Sequence, residues 1–305
     1  MEKVSFEIKA KVEAVERGHL LAGLIQLAKL RVTFFVALSS FFGYIFYGGF
    51  SWQSLLVVSG VFLTAVSSSA INQYQERKYD KLMARTRQRP LPAKKLRKEE
   101  ALIFIIFTGI LGIFLLGLTF NVLAVGLAAF SMIWYNLVYT PLKRKTAFAV
   151  LPGALLGAIP PVIGWAVAGG DLFSPKIMFI AILFFLFQIP HFWFLFLIYN
   201  DDYKQGGYPT LKDVLKVNQI GRISFVWIVC LAIVAVAEPF FFVNNPLFLA
   251  VIFGMSVILI WKNKFLLNLE ETNENISYRI AFQTLNIYVL LVVVILTLEK
   301  IISNK

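Results

Sequence analysis

Residues 72–80 read Asn72-Gln-Tyr-Gln-Glu76-Arg-Lys-Tyr-Asp80, at the point where a long apolar run ends and the most basic loop of the chain begins. The side chains of Asn72, Glu76 and Asp80 carry oxygen and are spaced i, i+4 and i+8. Each step of four residues advances the angle around an α-helix by only about 40°, so the three side chains lie on one stripe. Carboxylate and amide oxygens bind hard cations such as Mg²⁺, which at protein sites usually also holds substrate phosphates. The segment therefore indicates a site for a lipid-like diphosphate.

The composition of the chain fixes its broad class. Of the 305 residues, 59% are hydrophobic and 15% are charged. Apolar stretches of about 20 residues, each long enough to cross a bilayer, fill most of the sequence. The predicted spans are 32–48, 52–72, 101–119, 121–140, 147–168, 174–199, 220–241, 246–261 and 280–298.

Nine spans in 305 residues leave no room for a separate soluble domain. We therefore expect an all-α integral membrane protein. We expect residues 1–305 to form a single membrane domain, with a bundle of nine transmembrane helices that follows a cytoplasmic lead-in at residues 1–31. Only Thr119–Asn121 separates the third span from the fourth, so the count depends most on this short break.

The net charge of +12 is not distributed as in a nucleic-acid-binding protein. If nine spans alternate, 26 of the 29 Lys and Arg residues fall on one side of the membrane, in segments 1–31, 77–98, 143–145, 204–222 and 262–279. The positive-inside rule then places the N-terminus in the cytoplasm and the C-terminus on the opposite side of a plasma (inner) membrane. Basic loops beside a membrane more often meet anionic headgroups than nucleic acid. We expect membrane lipid, and no nucleic acid, as a partner.

A second polar segment follows the sixth span and lies, by this topology, on the same face as the first. It contains the adjacent carboxylates of Asp201 and Asp202, then Lys204 and a Gly-Gly turn. One interpretation is a second metal-binding half-site that shares bridging cations with the first. The alternative is a solvated helix terminus, because Asp and Gly often occupy turns.

His191 lies inside the sixth span, directly after Pro190. Ionisable groups within the membrane are functional more often than elsewhere. A lone histidine in this position is equally well explained as a packed residue hydrogen-bonded to a neighbouring helix. Both interpretations stay open on the sequence alone.

The chain from about residue 25 to residue 300 resembles the intramembrane prenyltransferases of the UbiA superfamily. The segments 72–80 and 83–91 are similar to the first aspartate-rich motif of that superfamily. Within it, the Pro-His-Phe block at 190–192 followed by Asp-Asp-Tyr-Lys at 201–204 resembles the haem O synthase branch. The Lys-Leu-Arg-Val run at 29–32 fits the same branch.

The resemblance implies a nine-helix bundle around a lipid-accessible cavity, with both acidic motifs at its cytoplasmic rim. It implies Mg²⁺ as cofactor and the transfer of a farnesyl group from farnesyl diphosphate to a vinyl group of haem b, which gives haem O and pyrophosphate. Haem O serves haem A and terminal oxidase biogenesis, so haem A synthase or oxidase assembly factors are candidate partners.

Residue by residue, the resemblance implies three groups. The catalytic and metal-binding candidates are Asn72, Glu76, Asp80, Asp201 and Asp202. The diphosphate-binding candidates are Arg31, Arg85, Arg89, Lys143 and Lys204. The haem-binding candidate is His191, as an axial ligand or a positioning donor.

Three positions depart from the usual pattern of the superfamily. Glu76 stands where an aspartate is usual, and Leu30 replaces a proline. Ile198 lies four residues before Asp202, where many members have another aspartate, and this favours the haem branch over an enzyme that prenylates an aromatic quinone precursor. A transporter for a lipid or amphiphile is a further alternative. It predicts an inverted repeat, which is not evident in the sequence.

Overall fold

The computed structural model describes residues 18, 20–242, 245–270 and 274–303. Residues 1–17 and 19 of the expected lead-in lie outside this range. The described residues are helical or irregular and contain no β-strand. The helices are α1 (20–28), α2 (Leu30–Gly48), α3 (Trp52–Asp80), α4 (Lys98–Gly117), α5 (Val122–Ile133), α6 (Thr140–Leu142), α7 (Val150–Val167), α8 (Pro175–Ile198), α9 (Asn200–Gln205), α10 (Val217–Phe242), α11 (Pro246–Asn263) and α12 (Glu274–Ser303).

Nine spans in the described part of the chain are long and apolar enough to cross a membrane, as the sequence predicts. Six of these are single long helices, and the fourth combines α5, a π-helical stretch at Trp134–Tyr139 and α6. The fifth adds a 3₁₀ turn at Ala147–Ala149 before α7, and the eighth adds one at Lys264–Asn268 after α11. The chain is therefore an all-α, multi-pass membrane protein. The short break before α5 is real, because Asn121 accepts a hydrogen bond from the Ala124 N–H at 2.9 Å and caps the new helix.

The second span differs most from its predicted length. It was predicted to end at residue 72, but α3 continues for two further turns to Asp80. These turns remain helical although they are polar, because the helix needs only its own backbone hydrogen bonds and suitable side-chain partners. The acidic stripe thus lies on rigid helix rather than in a loop.

Close contact between α2 and α7 fixes the middle of the bundle. A Cβ atom added at Gly43 would lie 1.9 Å from the Pro161 carbonyl oxygen, and one added at Gly164 would lie 1.9 Å from that of Ser40. Glycine is required at both positions, since only its missing side chain lets the backbones approach this closely. Helix α7 packs in turn against α8.

The polar motifs meet at one end of the bundle, which we call the basic end. Here α3 and α8 terminate, α2, α4 and α10 begin, and the basic loop 81–97 folds back over the bundle.

Candidate active site

The acidic stripe of α3 is buried. Asn72, Glu76 and Asp80 retain only 2%, 3% and 0% of their exposed surface. Two carboxylates at the C-terminal end of a helix meet the negative end of its dipole, which disfavours their charge. Buried charges must also be paired. The partners of this stripe are therefore the central feature of the site.

Glu76 has two partners from distant parts of the chain. Its Oε2 atom lies 2.7 Å from Lys143 Nζ, and both side chains are largely buried. Its Oε1 atom accepts a hydrogen bond from the hydroxyl of Tyr208 at 3.0 Å. Burial and the adjacent Glu76 carboxylate raise the pKa of Tyr208 well above its usual value, so the phenol stays a donor. The carboxylate charge is thus fully compensated inside the protein.

Asp80 is neutralised by the basic loop. Arg89 Nη1 lies 3.0 Å from both carboxylate oxygens of Asp80. The Asp80 main-chain carbonyl accepts a hydrogen bond from the Thr86 hydroxyl at 2.9 Å. These contacts tie the loop to the end of α3.

Asn72 connects α3 to the fourth span. Its Nδ2 atom donates to the Thr140 hydroxyl at 3.0 Å, and that hydroxyl donates to the Tyr135 carbonyl at 2.9 Å. Tyr135 belongs to the π-helical stretch, a type of irregularity that is frequent at functional sites. Asn136 in the same stretch is buried, and its Oδ1 atom has no hydrogen-bond partner among the described residues.

Asp202 binds main chain rather than a cation. Its two carboxylate oxygens accept hydrogen bonds from the N–H groups of Ala84 and Arg85, each at 3.0 Å. The guanidinium of Arg85 donates to the Tyr203 hydroxyl at 3.2 Å and lies 4.8 Å from the ring centroid of Tyr199. We call this arrangement the clasp, since it joins loop 81–97 to α9.

The remaining predicted residues are more exposed. Asp201 is exposed and accepts a hydrogen bond from Asn200 Nδ2 at 3.2 Å. Lys204 pairs at 3.0 Å with Asp213, and both side chains are more than 40% exposed. Arg31 is exposed at the start of α2. The structure therefore brings Arg89 and Lys143 to the buried carboxylates, brings Arg85 to the clasp, and leaves Arg31 and Lys204 outside both.

Lys29 was not among the predicted residues. It is half-buried, precedes α2 with a left-handed backbone (φ 48°), and shares its surroundings with Glu76, Asp80, Arg89 and Lys143. Burial, together with the nearby cations, lowers the pKa of Lys29 to about 7. An added diphosphate would favour its charged form. Lys29 could have been predicted from the sequence, because it lies next to Arg31 at the start of the first span.

The donor set suits a hard divalent ion held jointly with a substrate. The site offers carboxylate and carboxamide oxygens, the ligands that Mg²⁺ prefers. Among the residues that the structure describes, no three His, Cys, Asp or Glu side chains form a metal-binding group. Mg²⁺ commonly uses only one or two carboxylates and takes its other ligands from phosphates and water. The residues therefore fit such an ion when a diphosphate is present.

An aromatic ladder leads from this cluster into the membrane. Its rings are Tyr208, Tyr203, Phe196, Phe192 and His191, with successive centroids 5.7, 4.7, 6.3 and 5.4 Å apart. The first ring is the phenol that is hydrogen-bonded to the acidic stripe. The last belongs to the predicted haem-binding residue. The ladder thus joins the two predicted parts of the site.

His191 also forms a hydrogen bond to a neighbouring helix, as expected of a packed structural histidine. Its Nδ1 atom lies 2.9 Å from Asn286 Oδ1 on α12. The rings of Phe187 and Phe282 lie 5.0 and 4.9 Å from the imidazole. Asn286 was not predicted, although a polar residue inside an apolar span is the appropriate signal.

These features define an integral membrane protein with an ion-paired acidic site at one end of a helical bundle. The chain belongs to the UbiA prenyltransferase family, whose sequence pattern matches residues 32–290. The family predicted from the two acidic segments is thereby confirmed.

Curated relatives are similar over part of their length. The protoheme IX farnesyltransferase of Geobacter sulfurreducens is 44% identical over 160 residues, which cover 50% of this chain and 57% of that protein. The protoheme IX farnesyltransferase of Symbiobacterium thermophilum is 38% identical over 207 residues, or 66% and 68% of the two chains. The chain thus spans between half and about two thirds of the length of these relatives.

Solved structures share the fold. A digeranylgeranylglyceryl phosphate synthase structure superposes with a TM-score of 0.75 at 19% identity, over 92% of this chain and 99% of that one. A UbiA homolog from Archaeoglobus fulgidus bound to GPP and Mg²⁺ superposes with a TM-score of 0.61 at 14% identity, over 89% and 99%.

Proposed function

We propose that this protein transfers a farnesyl group from farnesyl diphosphate to a vinyl group of haem b, giving haem O and pyrophosphate. The observation that carries the proposal is the aromatic ladder, which runs from the carboxylate–cation cluster at the rim to a histidine inside the membrane. Relatives called protoheme IX farnesyltransferases support it. An aromatic quinone precursor or a transported lipid would leave His191 with only its structural contact to Asn286.

The diphosphate would bind at the basic end. Lys143 and Arg89 already compensate buried carboxylates, and a diphosphate that brings Mg²⁺ would let these cations turn to its oxygens. Asn72, Glu76, Asp80 and Asp201 are the proposed metal-binding residues. Asp202 would join them only after releasing the loop N–H groups. Mg²⁺ held by these residues would supply positive charge to offset the charge that develops on the leaving diphosphate.

Space at the site requires movement of the rim. The cavity beside Lys143 measures about 20 Å³ and is lined by Tyr203 and Tyr208, among others. This volume holds about one water molecule. A diphosphate that reached Lys143 through this cavity would therefore displace the segment that carries these tyrosines.

Each bond that breaks in the proposed reaction is matched by a bond that forms. The bond between C1 of the farnesyl group and the diphosphate oxygen breaks, and the electron pair leaves with pyrophosphate. The vinyl group of haem b supplies the electron pair for the new bond to C1. Water then adds to the resulting carbocation and loses a proton, which leaves a hydroxyethylfarnesyl arm.

The chain's own groups would protect the allylic cation. Phe192 and Phe196 line the path between the two ends of the ladder, and a ring face attracts a cation electrostatically. Their apolar surroundings would keep water from trapping the cation before the vinyl group reacts.

We further propose that the protein lies in the plasma (inner) membrane with the basic end in the cytoplasm, following the positive-inside rule. Its product would pass to haem A synthase or to oxidase assembly factors.

Mass spectrometry of haem extracted from cells with and without the protein tests the reaction. We expect haem b to gain the mass of one farnesyl group plus one hydroxyl group only when the protein is present. An Asp80→Ala chain is the matched control and should leave almost all of the haem b unmodified. Unmodified haem in cells that hold the membrane-inserted parent protein would contradict the proposal.

A further inference from the structure

His191 lies on a stripe of α8 that faces other helices of the bundle. Phe184, Gln188 and His191 are spaced i, i+4 and i+7 and therefore share one face. Phe184 packs on a phenylalanine ring of α2 at 6.2 Å, Gln188 packs over a glycine of α7, and His191 contacts α12. The stripe thus points between three helices rather than toward lipid.

The orientation of the Asn286 carboxamide follows from its neighbours. Its Nδ2 atom donates to the Phe282 main-chain carbonyl at 2.5 Å. A carbonyl oxygen can only accept, so the NH₂ end is fixed there and Oδ1 faces His191. This oxygen can also only accept, so the Nδ1 atom of His191, at 2.9 Å, must carry the proton.

The tautomer of His191 is thereby determined. Phe187, Phe192 and Phe282 surround the ring, and such apolar surroundings disfavour the charged imidazolium. A neutral imidazole with a proton on Nδ1 has a lone pair on Nε2. Among the described residues, no hydrogen bond to Nε2 is present, and the ring is partly exposed. One turn earlier, the buried Oε1 atom of Gln188 also has no hydrogen-bond partner in the described chain.

We propose that Asn286 is a positioning residue, which holds His191 as the Nδ1–H tautomer so that Nε2 ligates the iron of haem. The proposal rests on the proposed function and specifies how its acceptor is held. Neutral imidazole is the form that binds haem iron. A hydrogen bond from the other ring nitrogen fixes the orientation of such a ligand and raises its basicity.

The position of His191 fits this role. It lies seven residues before the end of α8 at Ile198, about 10 Å along that helix. A planar haem ligated by Nε2 would therefore lie below the diphosphate cluster, with the ring of Phe192 beside its ligand.

The first test reads the tautomer in the substrate-free protein and changes no residue of the site. The chain has two histidines, His19 and His191. A His19→Gln protein labelled with ¹⁵N-histidine in bilayers gives one imidazole, whose two nitrogen shifts report which nitrogen is protonated. We expect a protonated Nδ1 and an unprotonated Nε2. A protonated Nε2 would overturn the proposal.

The second test compares two asparagines in a haem titration followed by the Soret band. Asn263 is the matched control, because its Nδ2 atom also donates to the carbonyl four residues earlier and its Oδ1 atom accepts from Thr284. Asn286→Leu removes the acceptor that fixes the proton on Nδ1 of His191, so haem binding should weaken about ten- to a hundredfold. Asn286→Asp, which keeps an acceptor, should restore most of the affinity, and Asn263→Leu should leave it unchanged.

The two proposals fail in different ways. If Asn286→Leu binds haem with the affinity and spectrum of the parent, the positioning role is wrong, whatever the protein catalyses. If the tautomer and the titration come out as expected but the parent produces no farnesylated haem, the proposed reaction is wrong and the haem site stands.

Discussion

Two acidic motifs lie at the basic end of the bundle, and they differ in what neutralises them. Glu76 and Asp80 are buried on a rigid helix and pair with the side-chain cations of Lys143 and Arg89. Asp202 lies on a short helix and accepts hydrogen bonds from main-chain N–H groups, while Asp201 is exposed.

This difference separates two tasks. Side-chain cations can leave a carboxylate and turn to a diphosphate, so under the proposed function the first motif would hold the positive charge that the substrate needs. Main-chain N–H groups cannot move without moving the loop, so the second motif controls the position of loop 81–97. The first motif should therefore govern catalysis and the second the closure of the site.

The largest effect is expected at Asp80. Asp80→Ala removes a proposed metal ligand and leaves Arg89 without its partner, so kcat should fall by about two to three orders of magnitude. The measurement is the rate of haem O formation per membrane-inserted, monodisperse protein. Asp213→Ala is the control, since that carboxylate is exposed and pairs with Lys204. Near-normal turnover by the Asp80 variant would remove this carboxylate from the site.

Lys143 should rank second. Lys143→Met leaves Glu76 buried with only a phenol donor, and breaking a buried pair costs about 3–5 kcal/mol of stability. The apparent KM for farnesyl diphosphate should rise about ten- to a hundredfold, since a hydrogen bond to a charged group contributes about 1.5–3 kcal/mol. The KM for haem should change little. A larger effect on haem than on farnesyl diphosphate would assign this lysine to the haem propionates instead.

A substitution at Asp202 separates loop positioning from catalysis most clearly. Asp202→Asn keeps one acceptor for the loop, so turnover should fall only about tenfold, in line with a weakened charged hydrogen bond. Trypsin should cut loop 81–97 faster in this variant than in the parent. Asp201→Asn is the neighbouring control and should leave the cleavage rate unchanged. Loss of activity as severe as at Asp80, with normal protease resistance, would make Asp202 mainly a metal ligand.

The smallest effect is expected at Lys204. Its ion pair with Asp213 is half-exposed, and such pairs contribute about 0–1 kcal/mol. Lys204→Ala should therefore change the KM for farnesyl diphosphate by less than about twofold. Steady-state kinetics at varied farnesyl diphosphate provide the measurement. A large rise in KM would mean that this lysine swings into the site on substrate binding.

The fold was largely predictable because the bilayer imposes simple lengths. Runs of about 20 apolar residues and the asymmetry of Lys and Arg predict nine spans, and the described chain has nine. The extension of α3 to Asp80 escaped the hydropathy pattern, since its last turns are polar. The spacing of Asn72, Glu76 and Asp80 had nevertheless predicted a helical stripe there.

The sequence predicts candidate residues for the site but not their pairings, and their roles stay predictions. The motifs indicate which side chains carry charge, but the choice between Lys143 and Lys204 as partner of Glu76 depends on how distant loops fold. The roles of Tyr208 and Asn286 depend on a single hydrogen bond each, to Glu76 and to His191. Contacts between segments far apart in the chain leave no periodic signal in one sequence.

A structure with Mg²⁺ and a non-hydrolysable farnesyl diphosphate analogue tests the central claim most directly. The distances to follow are those of Lys143 Nζ to Glu76 and of Arg89 Nη1 to Asp80, which are 2.7 and 3.0 Å without substrate. We predict that both cations leave these carboxylates and bind phosphate oxygens, while the carboxylates turn to the metal. A diphosphate bound elsewhere, with both ion pairs unchanged, would contradict the account.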